Sequence, residues 1–347
     1  MIFFSIGKED TKEAESSHCN AIHLRGISVS DAMRNSTCLC LALVLAYMST
    51  TSAVMGQATE ESWFRFRYDN DFFTATDQYF TQGVRLELAA PFVSRSPFRT
   101  ILPRSGKNAM QRDVLYAQQE CFTPTSIRRD TILRTDRPFA AAFYIGQRSV
   151  STNTERKRKL TSTISLGIIG PCAVCAEEQR GIHKALNNIE PLGWQFQVAN
   201  DVILNYDVQL DQRLLRLRFA ELSGGIAAAA GTFRTQAQLN MRAEVGMFRS
   251  LFEPPDTYTK KFRISVFLQG DVRFVGYDAT FQGGLFRNDD PHVLASKNME
   301  RVVLWTEGGV NVRYRGMAVS YTKSFITREF NTGKDHAWGS CVITGYF

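Results

Sequence analysis

Hydrophobic and polar positions alternate with a period of two along much of the chain. From Phe262 to Phe274, the residues Phe262, Ile264, Val266, Leu268, Val272 and Phe274 share one face, and Arg263, Ser265, Gln269, Asp271 and Arg273 share the other. From Gln236 to Met247, Ala237, Leu239, Met241, Ala243, Val245 and Met247 oppose Gln236, Gln238, Asn240, Arg242 and Glu244. Arg301 to Tyr314 repeats the pattern less cleanly. Period two sustained this far predicts strands. They exceed the roughly five or six residues usual in soluble sheets and match the length that crosses a bilayer at a tilt. One face would then meet lipid, and the other a polar interior that tolerates Arg, Asp and Gln.

About twelve such segments can be placed, an even number as in single-chain bacterial barrels. They lie near 61–70, 80–90, 112–121, 139–149, 158–168, 194–207, 211–222, 236–249, 261–275, 300–314, 316–328 and 338–347. The stretch 224–231 (GGIAAAAG) is open to loop, helix or strand. The chain closes on a strand ending in Phe347, similar to the last strand of bacterial outer-membrane barrels. The fold class expected is all-β, a transmembrane antiparallel β-barrel of about 12 strands.

The N-terminus changes this picture only at its edge. From Met33 a short basic start, an apolar core Cys38–Met48 and small residues before Gly56 or Ala58 form a secretory signal pattern. The division expected is 1–57 as leader, with an upstream start ahead of the signal peptide, and 58–347 as barrel. No apolar run reaches the roughly 18 residues a spanning helix needs. The net charge is +7. It is dispersed except for Arg156-Lys157-Arg158-Lys159, so no concentrated patch or module argues for nucleic acid. An anionic lipid surface suits the same charge.

With both termini in the periplasm, the loops 71–79, 122–138, 169–193, 223–235, 276–299 and 329–337 face the cell exterior, and the chemically promising side chains fall among them. His183 lies in a polar segment between two strands, and Gln179 one helical turn before it shares its face. Such a histidine is either a general base at neutral pH or surface decoration. Asp69-Asn70-Asp71 ends the first strand. Three such residues either cap a turn or supply oxygen ligands to Ca²⁺. Asp77 and Thr81 lie across the same loop, and Asp136-Arg137 reads as structural. Cys172-x-x-Cys175 reads as a local disulfide or two incidental thiols, Cys121 and Cys341 receive no role, and His292 and His336 read as surface residues.

These residues resemble a family. Asn70-Asp71-Phe72-Phe73 and Thr76-Asp77-Gln78-Tyr79-Phe80-Thr81-Gln82-Gly83-Val84-Arg85-Leu86 are similar to the opening of the lipid A deacylase LpxR family. So are Phe122-Thr123-Pro124 and Asp136-Arg137-Pro138-Phe139-Ala140. The most specific stretch is Gly167-Ile168-Ile169-Gly170-Pro171, Gln179, His183, then Gly193-Trp194-Gln195-Phe196-Gln197 and Asn200. The motifs run from about Trp63 to Asp201. The resemblance implies a monomeric outer-membrane barrel that removes the 3′-linked acyloxyacyl group from lipid A with Ca²⁺ dependence. It assigns the catalytic histidine to His183, the functional Asn-Asp pair and metal ligands to Asn70 and Asp71, and the hydroxyl residue to Thr81. Gln179 would orient substrate or base, and Arg128 or Arg129 would supply the substrate-binding cation. Two departures stand out: Cys172 and Cys175 where small residues and glycine are usual, and Ala199 where an acidic side chain is common. The alternatives are a non-catalytic barrel, as pore or structural protein, and a barrel phospholipase using a serine near His183.

Overall fold

A computed structural model of the chain describes residues 62–74, 78–106, 108–253, 262–287 and 289–347. The expected leader and Asp77 lie outside the described residues. Twelve antiparallel strands close into a barrel in which each strand pairs with its sequence neighbours and the last returns to the first. They are β1 (Trp63–Asn70), β2 (Tyr79–Ala89), β3 (Met110–Thr123), β4 (Ala140–Asn153), β5 (Arg158–Ile169) and β6 (Asp201–Arg216). The second half is β7 (Ala220–Gly231), β8 (Arg234–Met247), β9 (Arg263–Asp278), β10 (Val302–Tyr314), β11 (Met317–Ile326) and β12 (His336–Tyr346). The closing seam runs in unbroken register from Trp63 opposite Tyr346 to Asn70 opposite Gly339.

The alternation read from sequence sorts onto the two sides of this wall. On β9, Val266 and Leu268 are 56% and 62% exposed while Ser265 and Asp271 are buried. Large apolar side chains are exposed around the outer wall on nearly every strand, the surface of a barrel solvated by lipid. Among the described residues no helix is long and apolar enough to cross a membrane. Three of the five connections at the terminal end are tight, 154–157, 217–219 and 315–316, the other two being 90–109 and 248–262, whereas the far end carries the segments 124–139, 170–200 and 279–301. Short turns belong to the periplasmic side and long loops to the extracellular one.

Two expectations about strand position need correction. The sixth strand does not begin at Trp194: residues 194–196 form a 3-10 turn and β6 starts at Asp201. Trp194 is instead buried against Phe139, ring centroids 4.9 Å apart. Nor does the chain turn at 207–211. Asp207, Gln209 and Asp211 continue the inward-facing set of β6, and the turn comes at 217–219. The ambiguous stretch 224–231 is consequently strand β7, and the surface loop expected over 223–235 shrinks to 232–233. Polar residues that look like a turn are ordinary where the strand's inner face is wet.

The lumen is crowded and polar. Arg65, Arg85 and Arg148 converge on the buried carboxylate of Glu87 at 3.1, 2.8 and 2.9 Å. Arg234 bridges Glu120 and Asp278 at 2.9 and 3.1 Å. Cavities of about 750 and 620 Å³ lie among these side chains. At the extracellular end the lumen is capped. Arg137, 1% exposed, is sandwiched between Phe122 and Phe281, 4.3 and 4.2 Å from their ring centroids. Burial drags the Arg137 guanidinium below its usual pKa and pushes the Glu329 carboxyl, 4.0 Å away, above its own. The Asp136-Arg137 pair is structural, as expected. Asp136 accepts from the Thr125 N–H and hydroxyl at 2.8 and 2.6 Å and from the Arg137 N–H at 2.8 Å. His336, expected at the surface, belongs to this cap: it is buried at the start of β12, its ring 5.0 Å from Tyr79 and 5.5 Å from Trp338.

Candidate active site on the outer wall

The long segment between β5 and β6 folds back over the outside of the barrel. Gly170 opens it at φ 108, where a side chain would also strike the Ala199–Asn200 backbone. A helix, α1 (Cys175–Ala185), follows. His183 therefore sits on a helix rather than in an irregular loop. The buried residues of α1 are Cys175, Ala176, Gln179 and His183, spaced to form one face. That face meets the wall. Cys175 is disulfide-bonded to Cys121 of β3, so neither expected reading of Cys172-x-x-Cys175, a local disulfide or two incidental thiols, holds. Cys121 is in phase with Leu115, which is exposed on the outer wall, while Glu120 points into the lumen. Gln119 Nε2, in the same outward phase, donates to the Ala173 carbonyl at 2.8 Å. Cys121, Ile127, Phe139, Ala141, Ala173, Cys175, Ala176 and Trp194 form a small apolar core between helix and wall.

Beside this core, the outer wall of β1 and β2 is polar where lipid contact would demand the opposite. Tyr68 and Asn70 follow Phe64 and Phe66 in the outward phase of β1, and Asn70 Nδ2 donates to the Tyr68 hydroxyl at 3.0 Å. Asn70 pairs across the strands with Gln82, and Gln82 pairs with Cys121. Between Phe80 and Gln82 the register slips by one residue. Such a bulge turns an extra side chain outward, and Thr81 shares a 2.6 Å hydrogen bond with Thr123 of β3. Gln82 Nε2 donates to Glu178 of α1 at 2.8 Å.

These contacts set the direction of α1. Cys175 is over β3 and Glu178 over β2. Three residues of helix rise about 4.5 Å, close to the roughly 4.8 Å between neighbouring strands. His183 lies about 7.5 Å further along the axis, in the sense that leads from β3 past β2. Gln179 and His183 thus lie on the buried face of α1, which is tied through Gln82 and Glu178 to the patch of wall that carries Asn70 and Thr81. Arg128 and Arg129 lie outside it. Both are exposed at its rim, beside the chain that returns from α1: Leu192 N–H donates to the Ile127 carbonyl at 2.6 Å. Neither makes an ion pair with a described residue.

The hydrogen bonds define what each group offers. His183 Nδ1 is 2.5 Å from the Ile189 carbonyl. A carbonyl only accepts, so Nδ1 is the donor, and in a neutral ring the lone pair is then on Nε2. Gln179 Oε1 accepts from Trp194 Nε1 at 2.7 Å, which orients the amide. Its Nε2 is buried with no partner among the described residues, a donor free to meet an incoming acceptor. Asn70 Oδ1 accepts from Phe72 N–H at 2.8 Å and Asp71 Oδ2 from Gln78 N–H at 2.7 Å, so both also cap the turn they begin. Phe73, in that turn, packs between Tyr68 and Tyr321 and lies where a Cβ on Gly339 would be, 2.5 Å from its own Cβ. The wall-side atoms that could ligate a cation, on Asn70, Asp71 and Thr81, are oxygens. Among the described residues no three His, Cys, Asp or Glu form a ready-made metal cluster. Glu178, Gln82 and Tyr68 were not singled out from the sequence. The available signal was polarity in the outward phase of a strand.

A family model described as outer membrane protein LpxR matches residues 38–347. No curated protein sequence matches. Among solved structures, LpxR from Salmonella typhimurium superposes with a TM-score of 0.67 at 18% identity, covering 82% of this chain and 100% of that one. The β domain of the Bordetella autotransporter BrkA matches with a TM-score of 0.41 at 8% identity, covering 82% and 98% of the two chains. The translocator domain of the autotransporter NalP from Neisseria meningitidis matches with a TM-score of 0.41 at 10% identity, covering 91% and 98%.

Proposed function

The chain belongs to the LpxR family of outer-membrane proteins, and on that premise we propose that it hydrolyses the 3′-linked acyloxyacyl ester of lipid A in the outer leaflet. The observation that carries this reading is the polar patch on the outer wall, tied to a helix whose buried face holds His183 and Gln179. A site inside the lumen would suit a soluble substrate. A site outside it, at the extracellular end, suits a lipid. The outer face of α1 supports this: Val174, Ile182 and Leu186 are exposed beside Arg180 and Lys184, the mixture found on helices lying at a headgroup boundary.

His183 Nε2 takes a proton from water, and the hydroxide adds to the ester carbonyl. The free Nε2–H of Gln179 donates to the oxygen on which negative charge develops. The protonated His183 then returns its proton to the departing 3′ oxygen of the sugar, releasing the acyloxyacyl acid. Asn70 and Asp71, oxygen donors with Glu178 as a second nearby carboxylate, fit a hard cation such as Ca²⁺, which when bound would polarise the carbonyl. Thr81, held by Thr123, lines the wall beneath the ester. Arg128 and Arg129 at the rim would meet the glucosamine phosphates. Among the described residues no serine is hydrogen-bonded to His183, so the phospholipase alternative lacks its nucleophile. The aromatic and arginine cap across the lumen speaks against an open pore.

The test is mass spectrometry of lipid A from a Gram-negative host expressing this chain, with and without His183→Ala. Loss of the 3′ acyloxyacyl mass only with intact His183 is expected. Unchanged lipid A beside a folded barrel, with Ca²⁺ supplied, would overturn the proposal.

A further inference from the structure

We propose that the Cys121–Cys175 disulfide is a positioning device for the hydrolytic site: it anchors α1 to the barrel wall and so holds His183 over the cleft. The inference rests on the hydrolase reading.

The bond joins residues 54 apart in sequence, the first in a strand and the second at the first position of the helix. Nothing in the barrel's own closure depends on it. The β1–β12 seam and the β3–β4 ladder run in unbroken register, and the β2–β3 ladder departs from it only at the bulge between Phe80 and Gln82. The helix is also held by Trp194 Nε1, which donates to Gln179 Oε1 at 2.7 Å, but no other covalent link from the helix itself to the wall occurs among the described residues. Its N-cap residue Val174 is in left-handed backbone, φ 59, and provides no side-chain cap. The apolar core it packs on combines three alanines, Ala141, Ala173 and Ala176, with Ile127, Phe139 and Trp194. Two polar ties reach the strands, Gln82 to Glu178 and Gln119 to the Ala173 carbonyl. On the far side, exposed Ile182 and Leu186 gain from contact with lipid wherever the helix goes.

His183 is eight residues from Cys175, about 12 Å along the axis, so the helix is a lever hinged at the bond. A small loosening at Cys175 becomes a large displacement at His183, and a general base must lie within hydrogen-bond reach of the water it activates. Both sulfurs are shielded, with Cys175 1% and Cys121 4% exposed, as suits a permanent clamp.

The experiment compares the full chain with two double variants, Cys121→Ser/Cys175→Ser and Cys121→Val/Cys175→Ala, the second refilling the space with apolar groups. Three quantities are read for each: folded barrel by heat-modifiable gel mobility, hydrogen exchange of the α1 amides, and kcat and KM for lipid A per folded molecule. Both variants are expected to fold, to lose at least tenfold protection across 178–185, and to fall about tenfold in kcat with a smaller change in KM. Unchanged α1 protection and unchanged kcat per folded barrel would overturn the inference. So would a loss of activity matched only by loss of folded barrel, because the bond would then serve stability alone. If the unmodified chain fails to release acyl groups, the hydrolase reading fails, while the exchange measurement still decides whether the bond holds the helix.

Discussion

The outer walls of β9 and of β1–β2 are built from the same strand geometry and meet opposite fates. On β9 every outward position from Ile264 to Leu268 is a large apolar residue left exposed. On β1 the outward series starts alike, Phe64 and Phe66, and then changes to Tyr68 and Asn70, with Gln82 and Thr81 beside them on β2. A barrel wall has no backbone donors to spare and gains nothing from polar side chains facing lipid. Where such side chains occur, something must cover them, and α1 does so. The polar patch on β1 and β2 departs from the apolar pattern that β9 keeps.

This contrast can be broken at several points. The largest effect is expected at His183→Ala, which should cost on the order of 10²–10⁴-fold in turnover while the heat-modifiable mobility of the barrel is unchanged. Next is Leu268→Arg on the apolar wall. A cation there should destabilise the barrel by about 2–4 kcal/mol, read by urea unfolding in vesicles, with activity per folded molecule intact. Trp194→Phe removes the donor to Gln179 Oε1 and leaves a buried acceptor unmet, a cost of about 1–3 kcal/mol. It should appear as faster exchange of α1 and as lost turnover. Smallest is Phe72→Ala at a side chain 79% exposed, which should alter unfolding by less than about 0.5 kcal/mol.

The barrel was legible because period two is a direct consequence of strand geometry, and long strands with one apolar and one polar face fit little besides a membrane barrel. Boundaries failed where that logic weakens. Asp207 and Gln209 imitate a turn although they face a wet lumen, and Gly224-Gly225 with four alanines carry little side-chain signal. Yet Gly225 is constrained: a Cβ there would come within 2.5 Å of Asp211 Oδ1. At the site, His183, Gln179, Asn70, Asp71 and Thr81 stand out in the sequence through the family resemblance. The partnership between Gln82 and Glu178 does not, because it joins residues 96 apart. Cys121 was invisible for the same reason, whereas Cys175 drew attention to the wrong neighbour, Cys172. Local spacing describes a helix or strand well. It says little about which wall a returning loop will cover.

The most direct measurement is release of acyloxyacyl acid from purified lipid A by the folded protein, by His183→Ala, and by Leu268→Ala on the opposite wall. A hydrolytic cleft on the polar wall predicts release by the unmodified protein and by Leu268→Ala, with loss in His183→Ala. Equal release by all three, or equal loss in both variants, would contradict it.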